Sequence, residues 1–296
     1  MTAPQIDLDA ARRAFERAAA TYGEAAMLAR EVEQRMAERL QYIRHDPRRI
    51  LDAGCGPGEG LRLLRGHYPN AQLIGVDLAW AMTRATRDGR PIFDRVKSLF
   101  SGAACHPVCA DLVRLPLASA SLGMVWSNLA LAWARDPVAA FSEFARVLEP
   151  HGLLMFSSYG PDTLKELRGA FAQVDRYSHV HRFVDMHDLG DMLVAAGFAE
   201  PVMDMEIVTL EYEDVDALVQ DLRRSGQSNV DAGRRRGLMS PGMWSKMAAA
   251  YETVRREGRL SATFEIVYGH AWKAERRMRT AEGQVVQTNF ISRKAK

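Results

Sequence analysis

The first rhythm along the chain is helical. Over about 9–44, apolar residues such as Phe15, Ala18 and Ala19 recur at three- and four-residue spacing among Ala, Glu and Arg, with a break predicted at Tyr22 and Gly23. The rhythm changes near residue 48. RRILDAG (48–54) is a compact apolar run closed by glycine and predicts a buried strand, while GLRLLRGHYP (60–69) returns to helical spacing and is stopped by Pro69. AQLIGVDLA (71–79) predicts a second strand ending in an acid, and WAMTRATRDG (80–89) the next helix. After a less regular stretch at 90–104 come HPVCADL (106–112) and LGMVWSNLALAW (122–133) as third and fourth strands. DPVAAFSEFARVLEPHG (136–152) predicts a helix and GLLMFSSYG (152–160) a fifth strand.

Strands alternating with helices at this spacing predict right-handed crossovers and a mainly parallel sheet covered on both faces. The order then changes. A helical region over 162–196 leads to a strand VMDMEIVTLEY (202–212), a mostly helical segment with a Gly/Arg-rich loop, and a last strand LSATFEIVYGHAW (260–272). The expected organisation is a helical flap (1–47) and one α/β body (48–272). Within the body, a helical insertion (213–261) is placed to cover the crevice at the carboxyl edge of the sheet. A basic tail (273–296) is expected to be poorly ordered. No repeat of fixed period stands out.

Composition narrows the class without naming it. With 296 residues, 47% hydrophobic and 26% charged, the chain reads as an ordinary soluble protein. A net charge of +2 predicts no general affinity for nucleic acid, and no apolar run is long enough to span a bilayer. MTAPQIDLDAARRAFERAAA has no apolar signal core, so no secretory leader is expected. Three cysteines, Cys55, Cys105 and Cys109, form no even disulfide framework and point to the reducing cytoplasm.

The chemistry concentrates in ILDAGCGPGEG (50–60). Three alternating glycines between a strand and a helix either make a tight connection or admit a ligand close to the backbone, where a helix start offers N–H groups. Asp52 lies at the end of the first predicted strand, Asp77 ends the second and Asp111 the third. These acids either cap helices or line up along one crevice, where a carboxylate accepts from both hydroxyls of a ribose. Gly58 comes one residue early for a dinucleotide fingerprint, and no triphosphate loop is present. CHPVC (105–109) lacks further ligands for a zinc or iron–sulfur set, so Cys105 and Cys109 are expected in the core. His179, His181 and His187 show no facial-triad spacing, and no metal site is expected. Trp126 and Trp133 are expected to pack rather than to stack on a ligand.

LDAGCGPG, IGVDLA, ADLVRLPL and SNLALAW, in this order, resemble the class I S-adenosylmethionine-dependent methyltransferases. The resemblance implies a Rossmann-like, seven-stranded, mostly parallel sheet with helices on both faces and a reversed last strand. It implies S-adenosylmethionine as cofactor, with Gly54, Gly56 and Gly58 admitting the methionine part, Asp77 holding the ribose and Asp111 contacting the adenine. Asp52, Leu78, Leu112 and Asn128 complete the expected cofactor set.

RAFERAAATYGEAAMLAREV, SNLALAWARDPVAAFSEFARVLEPHGLLMFSSYGPDTLKELRGAF, HVHRF and LRRSGQSNVDAGR are similar to the malonyl-acyl-carrier-protein O-methyltransferases of biotin synthesis, over most of the chain to about Trp272. That resemblance implies esterification of the free carboxyl of a malonyl thioester on acyl carrier protein. Arg182 and Arg234 are the candidate partners of the substrate carboxylate, since an arginine fork orients a carboxylate through two bonds. Tyr22 is the candidate flap residue closing over the cofactor. Arg223, Arg224, Arg234, Arg235 and Arg236 form a basic cluster suited to an acidic carrier. DLGDMLVAAGF, GQSN and FEIVYGHAWK also look like the methyltransferase-fold arginine hydroxylase that assists respiratory complex I assembly. The Asn usual before RF is His181 here. A cofactor-binding protein without turnover is the third reading.

Overall fold

A computed structural model describes residues 6–88 and 105–275; the irregular stretch expected at 90–104 and nearly all of the predicted tail lie outside them. The strands are β1 (Arg49–Ala53), β2 (Gln72–Asp77), β3 (Cys105–Cys109), β4 (Leu122–Ser127), β5 (Leu148–Tyr159), β6 (Phe198–Tyr212) and β7 (Leu260–Lys273). They form one sheet in the order β3-β2-β1-β4-β5-β7-β6. Pairs from β3 through β5 are parallel, whereas β7 runs antiparallel to both β5 and β6. This is the expected reversal of the last strand. The order turns back on itself between β1 and β4, and an open sheet of this kind presents its crevice there, beyond the carboxyl ends of the strands.

Burial follows position in the sheet. Every residue of β4 is buried, because helices cover both faces of a central strand. One face packs against α3 (Met27–Glu38) and α4 (Glu59–His67) through Val32, Met36, Leu61 and Leu64. The other packs against α6 (Pro137–Val147) and α8 (Met186–Ala195) through Phe141, Phe144, Leu189 and Leu193. Edge strand β6 instead alternates half-buried and exposed residues along most of its length.

Several expected boundaries shift for identifiable reasons. The helix expected over 136–152 ends at Val147, and Leu148 is already extended. Pro150 cannot continue a helix and pushes the residue before it out of the helical region. The fourth strand stops at Ser127 rather than 133; Leu129 takes a left-handed φ of 55° and a 3-10 turn follows over Leu131–Trp133. Over 162–196 there are two helices, α7 (Lys165–Ala172) and α8, separated by an irregular segment. β6 begins at Phe198, with its register shifted between Ala199 and Val202, where Pro201 has no N–H to give. The third strand closes at Cys109, leaving Asp111 two residues into the following turn.

The flap consists of α1 (Leu8–Ala18), a single turn α2 (Tyr22–Ala25) and α3, so the break comes just before Tyr22. The insertion supplies α9 (Val215–Arg224) and α10 (Pro241–Glu252) on either side of an irregular loop. Flap and insertion clasp each other. Asp7 N–H donates to the Val230 carbonyl at 2.8 Å, and the Asp7 carboxylate pairs with Arg234 at 2.7 Å. Arg224 reaches Glu24 at 2.7 Å, and the Thr21 hydroxyl donates to the Arg224 carbonyl at 2.8 Å.

The flap also holds the body. The Glu16 carboxylate accepts from Trp80 N–H at 2.6 Å and Ala81 N–H at 3.0 Å, capping the start of α5 (Trp80–Asp88) from outside that helix. Glu16→Ala is expected to cost about 1 kcal/mol and to lower the melting temperature by roughly 2–4 °C. Hydrogen exchange should speed up in both α1 and the first turn of α5; acceleration in α5 alone would show that the bond does not anchor the flap.

Candidate active site

A cavity opens at the carboxyl ends of β1, β2 and β4, under α1. Its space, open mouth included, is roughly 800 Å³, within the range of small-molecule sites. The floor is the turn between β1 and α4. Gly54 and Cys55 donate their N–H groups to the Val76 carbonyl at 2.7 and 2.9 Å, which ties the turn to the end of β2. Gly56 follows with a φ of 49°, in the left-handed region that costs glycine nothing. A Cβ on Gly54 would collide with that of Ala130, so the β1 and β4 turns touch only because the side chain is absent.

Two acids face the cavity. Asp77 ends β2, and its carboxylate accepts from Gly56 N–H at 2.9 Å and Ala79 N–H at 2.8 Å. Burial raises its pKa to about 6 against the pull of these backbone bonds. Each carboxylate oxygen keeps a further lone pair for a ligand hydroxyl. Asp111 accepts from Val113 N–H at 3.1 Å in a local turn, with Leu78 and Leu112 beside it on the cavity wall. Across the cavity, Asn128 donates to the Ala29 carbonyl at 2.9 Å and accepts from the Ser157 hydroxyl at 2.7 Å, which fixes the loop after β4 to both flap and sheet.

The side of the cavity under α1 is aromatic. Phe15 from α1 meets Trp133 edge-on at 5.2 Å between ring centroids, and Tyr22 and Tyr159 close the rest. Burial, followed by the nearby carboxylates Glu33, Asp77, Glu59 and Asp52, pushes the Tyr22 phenol up, so it stays protonated. Tyr159 donates to the Gln227 side-chain oxygen at 3.1 Å. A second cavity begins where the first ends, sharing Trp133 and Gln227 with it, and runs between α7, the 178–183 segment and the insertion.

A family model described as a methyltransferase domain matches residues 51–156. A malonyl-acyl-carrier-protein O-methyltransferase of Gallionella capsiferriformans is 53% identical over 285 residues, covering 96% of this chain and 97% of the relative. The protein so named in Laribacter hongkongensis is 55% identical, with 92% of each chain covered. The chain belongs to the malonyl-acyl-carrier-protein O-methyltransferases. Among solved structures, the YcgJ protein of Bacillus subtilis matches with a TM-score of 0.57 at 15% identity, over 82% of this chain and 99% of that one, which supports the fold alone.

Of the residues singled out in the sequence, Gly54, Gly56, Asp77, Leu78, Asp111, Leu112, Asn128 and Tyr22 line the first cavity of this methyltransferase. Gly58 lies behind the turn as the left-handed cap of α4, and Asp52 is buried beneath it. Arg234 lines the second cavity, with its guanidinium held by Asp7. Arg182 is exposed and lines neither cavity. The cysteine expectation needs correction: Cys55 is buried, but Cys105 is half-buried and Cys109 exposed, because β3 is an edge strand. Trp133 packs against Phe15 and His181 and lines both cavities. Among the described residues, no group of three His, Cys, Asp or Glu is placed to hold a metal ion, and no helix is long and apolar enough to cross a membrane. Sequence reasoning missed Phe15, Tyr159, Ser225 and Gln227, which line the first cavity. Tyr159 was within reach, because it closes β5 at the carboxyl edge; the others come from the flap and the insertion.

Beneath the glycine turn Asp52 meets a second carboxyl, Glu33, which the sequence did not announce. Glu33 from α3 accepts from the Trp126 indole N–H at 3.1 Å, and both Glu33 and Asp52 press on the position that a Gly60 Cβ would occupy. Burial raises Glu33 to about 7 and Asp52 well above the carboxylate range, so the pair keeps protons that an unfolded chain would release. Their contribution to stability is therefore complete below about pH 4 and is lost as pH rises through 7. Glu33→Gln keeps the acceptor for Trp126. It should flatten the decline in unfolding free energy between pH 5 and 8 and stabilise the protein by roughly 1–3 kcal/mol at pH 8. Urea titrations at both pH values check this; an unchanged slope would remove Glu33 as its source.

Proposed function

We propose that this protein methylates the free carboxyl of a malonyl group borne by acyl carrier protein, giving the methyl ester that primes biotin synthesis, with S-adenosylmethionine as methyl donor. The observation that carries this reading is the 53% identity, across nearly the whole of both chains, with a relative of that name. The cavity fits the donor: a glycine turn without side chains faces a strand-end carboxylate that has lone pairs to spare. Bound there, S-adenosylmethionine supplies an electrophilic methyl group on a sulfonium centre.

The chain's own residues divide the remaining work. Gly54 and Gly56, with Gly58 shaping the turn behind them, leave room for the methionine part; Asp77 accepts from the ribose hydroxyls; and Asp111, Leu78 and Leu112 flank the adenine. Asn128 holds the loop that faces the methyl group, and Asp52 supports the turn from below. A malonyl carboxylate is ionised at neutral pH, so no strong base is required. Holding it in line with the methyl group while Phe15, Tyr22 and Trp133 exclude water is the catalytic task, and orientation of this kind supplies about 7–11 kcal/mol at best.

Arg234 is the better placed of the two candidate arginines for guiding the substrate anion, since it lines the second cavity. Arg182, with its exposed head, fits contact with an acidic carrier together with Arg223, Arg224, Arg235 and Arg236. In this reading the flap and the insertion act as one lid over the α/β body. Three cysteines, which make no even disulfide framework, support a place in the cytoplasm.

Mass spectrometry of malonyl-acyl carrier protein incubated with the protein and S-adenosylmethionine should show one added methyl, lost with Asp77→Ala. Calorimetric binding of S-adenosylmethionine without that product would discard the substrate and keep the cofactor. Because Asp77 titrates near 6 and binds hydroxyls best when ionised, affinity should be flat above pH 7 and fall below 6 by up to about tenfold per unit. Asp77→Asn should bind at least about tenfold more weakly at pH 7.5 and show no such fall; a parallel pH profile in the variant would exclude Asp77 as the titrating group.

A further inference from the structure

The first and second cavities share Trp133 and Gln227, and the second shares Arg234, Arg235 and Gly237 with a depression on the outer surface. The three spaces therefore follow one another outward from the end of β2. Their charge changes sign on the way. Asp77 and Asp111 line the first cavity, and among the described residues no Lys or Arg does. Arg223, Arg234 and Arg235 line the second, Arg236 joins the last two in the depression, and among the described residues no Asp or Glu lines either space. Leu167, Phe171, Val219 and Trp244 supply apolar wall to the second cavity.

The arginines at the outer end are not equally available. Arg234 donates to the Asp7 carboxylate at 2.7 Å and to the Asp231 carbonyl at 2.9 Å, while the Asp231 carboxylate accepts from Gly233 N–H at 2.7 Å. Arg235 lies 3.5 Å from the Asp175 carboxylate and 5.8 Å from the centre of the Tyr177 ring. Asp175 is already engaged, accepting from Tyr177 N–H at 3.0 Å and from the His179 ring at 2.9 Å. Arg235 is thus held in place while its fork keeps donors to spare. Arg236 is exposed and has no ion-pair partner among the described residues. Gly237 beside them leaves the space open, since a Cβ there would meet nothing within 4 Å. Two neighbouring guanidinium groups with spare donors, on a wall without acids, suit an oxyanion.

That anion is not the malonyl carboxylate, which must reach the first cavity to meet the methyl donor. A carrier-bound malonyl thioester has a second anion, the phosphodiester that joins its arm to the carrier. Resting on the malonyl-thioester reading above, we infer that the second cavity seats the arm of the substrate and that Arg235 and Arg236 bind the phosphate at its outer end. The two anions of the substrate then lie at opposite ends of one path. Holding the phosphate fixes how far the arm enters, and so helps to set the carboxylate in line with the methyl group.

S-malonyl-phosphopantetheine and S-malonyl-pantetheine differ only in that phosphate, and neither brings a carrier surface with it. The wild-type protein should methylate the phosphorylated substrate about tenfold better in kcat/KM. Arg235→Gln should lose most of that preference by slowing the phosphorylated substrate, and should leave S-malonyl-pantetheine within about twofold of wild type. Arg236→Gln breaks no ion pair and should shift the preference the same way, which keeps the test open should Arg235→Gln fail to fold. Calorimetry with S-adenosylmethionine reports whether each variant keeps a folded cofactor site. A wild-type protein indifferent to the phosphate, a preference untouched by both substitutions, or an equal loss on both substrates would overturn the assignment. Malonyl-acyl carrier protein run in parallel separates the two levels: its methylation alongside any of those results sinks only the phosphate site, and no methylation of any malonyl thioester sinks the underlying function with it.

Discussion

The bond from Gly56 N–H to the Asp77 carboxylate is the contact on which the site depends. It joins the ends of two parallel strands at the place where the sheet order reverses. It also aims a carboxylate into the cavity and keeps the glycine turn in its left-handed course. Burial makes that carboxylate reluctant to ionise, and the backbone donors offset much of the penalty. The result is an acceptor poised near neutrality whose geometry is set by backbone and not by flexible side chains. Any ligand with adjacent hydroxyls meets a site that is already organised, and less of its binding energy is lost to ordering.

Around this fixed floor the protein builds a roof from distant parts of the chain. The flap and the insertion are far apart in sequence, yet Asp7 pairs with Arg234 across 227 positions and Glu24 with Arg224 across 200. Phe15, Trp133, Tyr159 and Gln227 meet only because of that clasp. The roof is held mainly by partly exposed ion pairs and edge-on aromatic contacts, each worth little alone, whereas the sheet below is a close-packed core. That difference in cohesion is what a site needs if its floor is to stay rigid while its roof admits a large substrate. The basic residues Arg223, Arg224, Arg234, Arg235 and Arg236 belong to the insertion that forms part of this roof.

Desolvation acts in the same direction at two places in the body, favouring the neutral form of each group. Beneath the turn, Glu33 and Asp52 are pushed toward their neutral forms beside Gly60, and Glu33 accepts from the Trp126 indole N–H. On the wall of the second cavity His181, packed between Trp133 and Phe183, is also driven neutral by burial.

The sequence by itself determined the alternation of strands and helices, the reversed last strand, the glycine turn and the strand-end Asp77. These are local patterns: burial periodicity, a left-handed turn only glycine enters freely, and an acid placed where a parallel strand ends. It also carried Asn128 and Asp111 into the cavity through motifs next to strand ends. Boundaries near Pro150 and Pro201 were misplaced where the missing N–H of proline outweighed hydrophobic rhythm. Tertiary structure alone decided that Arg182 stays at the surface while Arg234 turns inward to Asp7, that Cys109 sits on an edge, and that Trp133 lines two cavities. Those outcomes depend on contacts between segments far apart in the chain, and no periodicity within a segment encodes which distant surface will cover it.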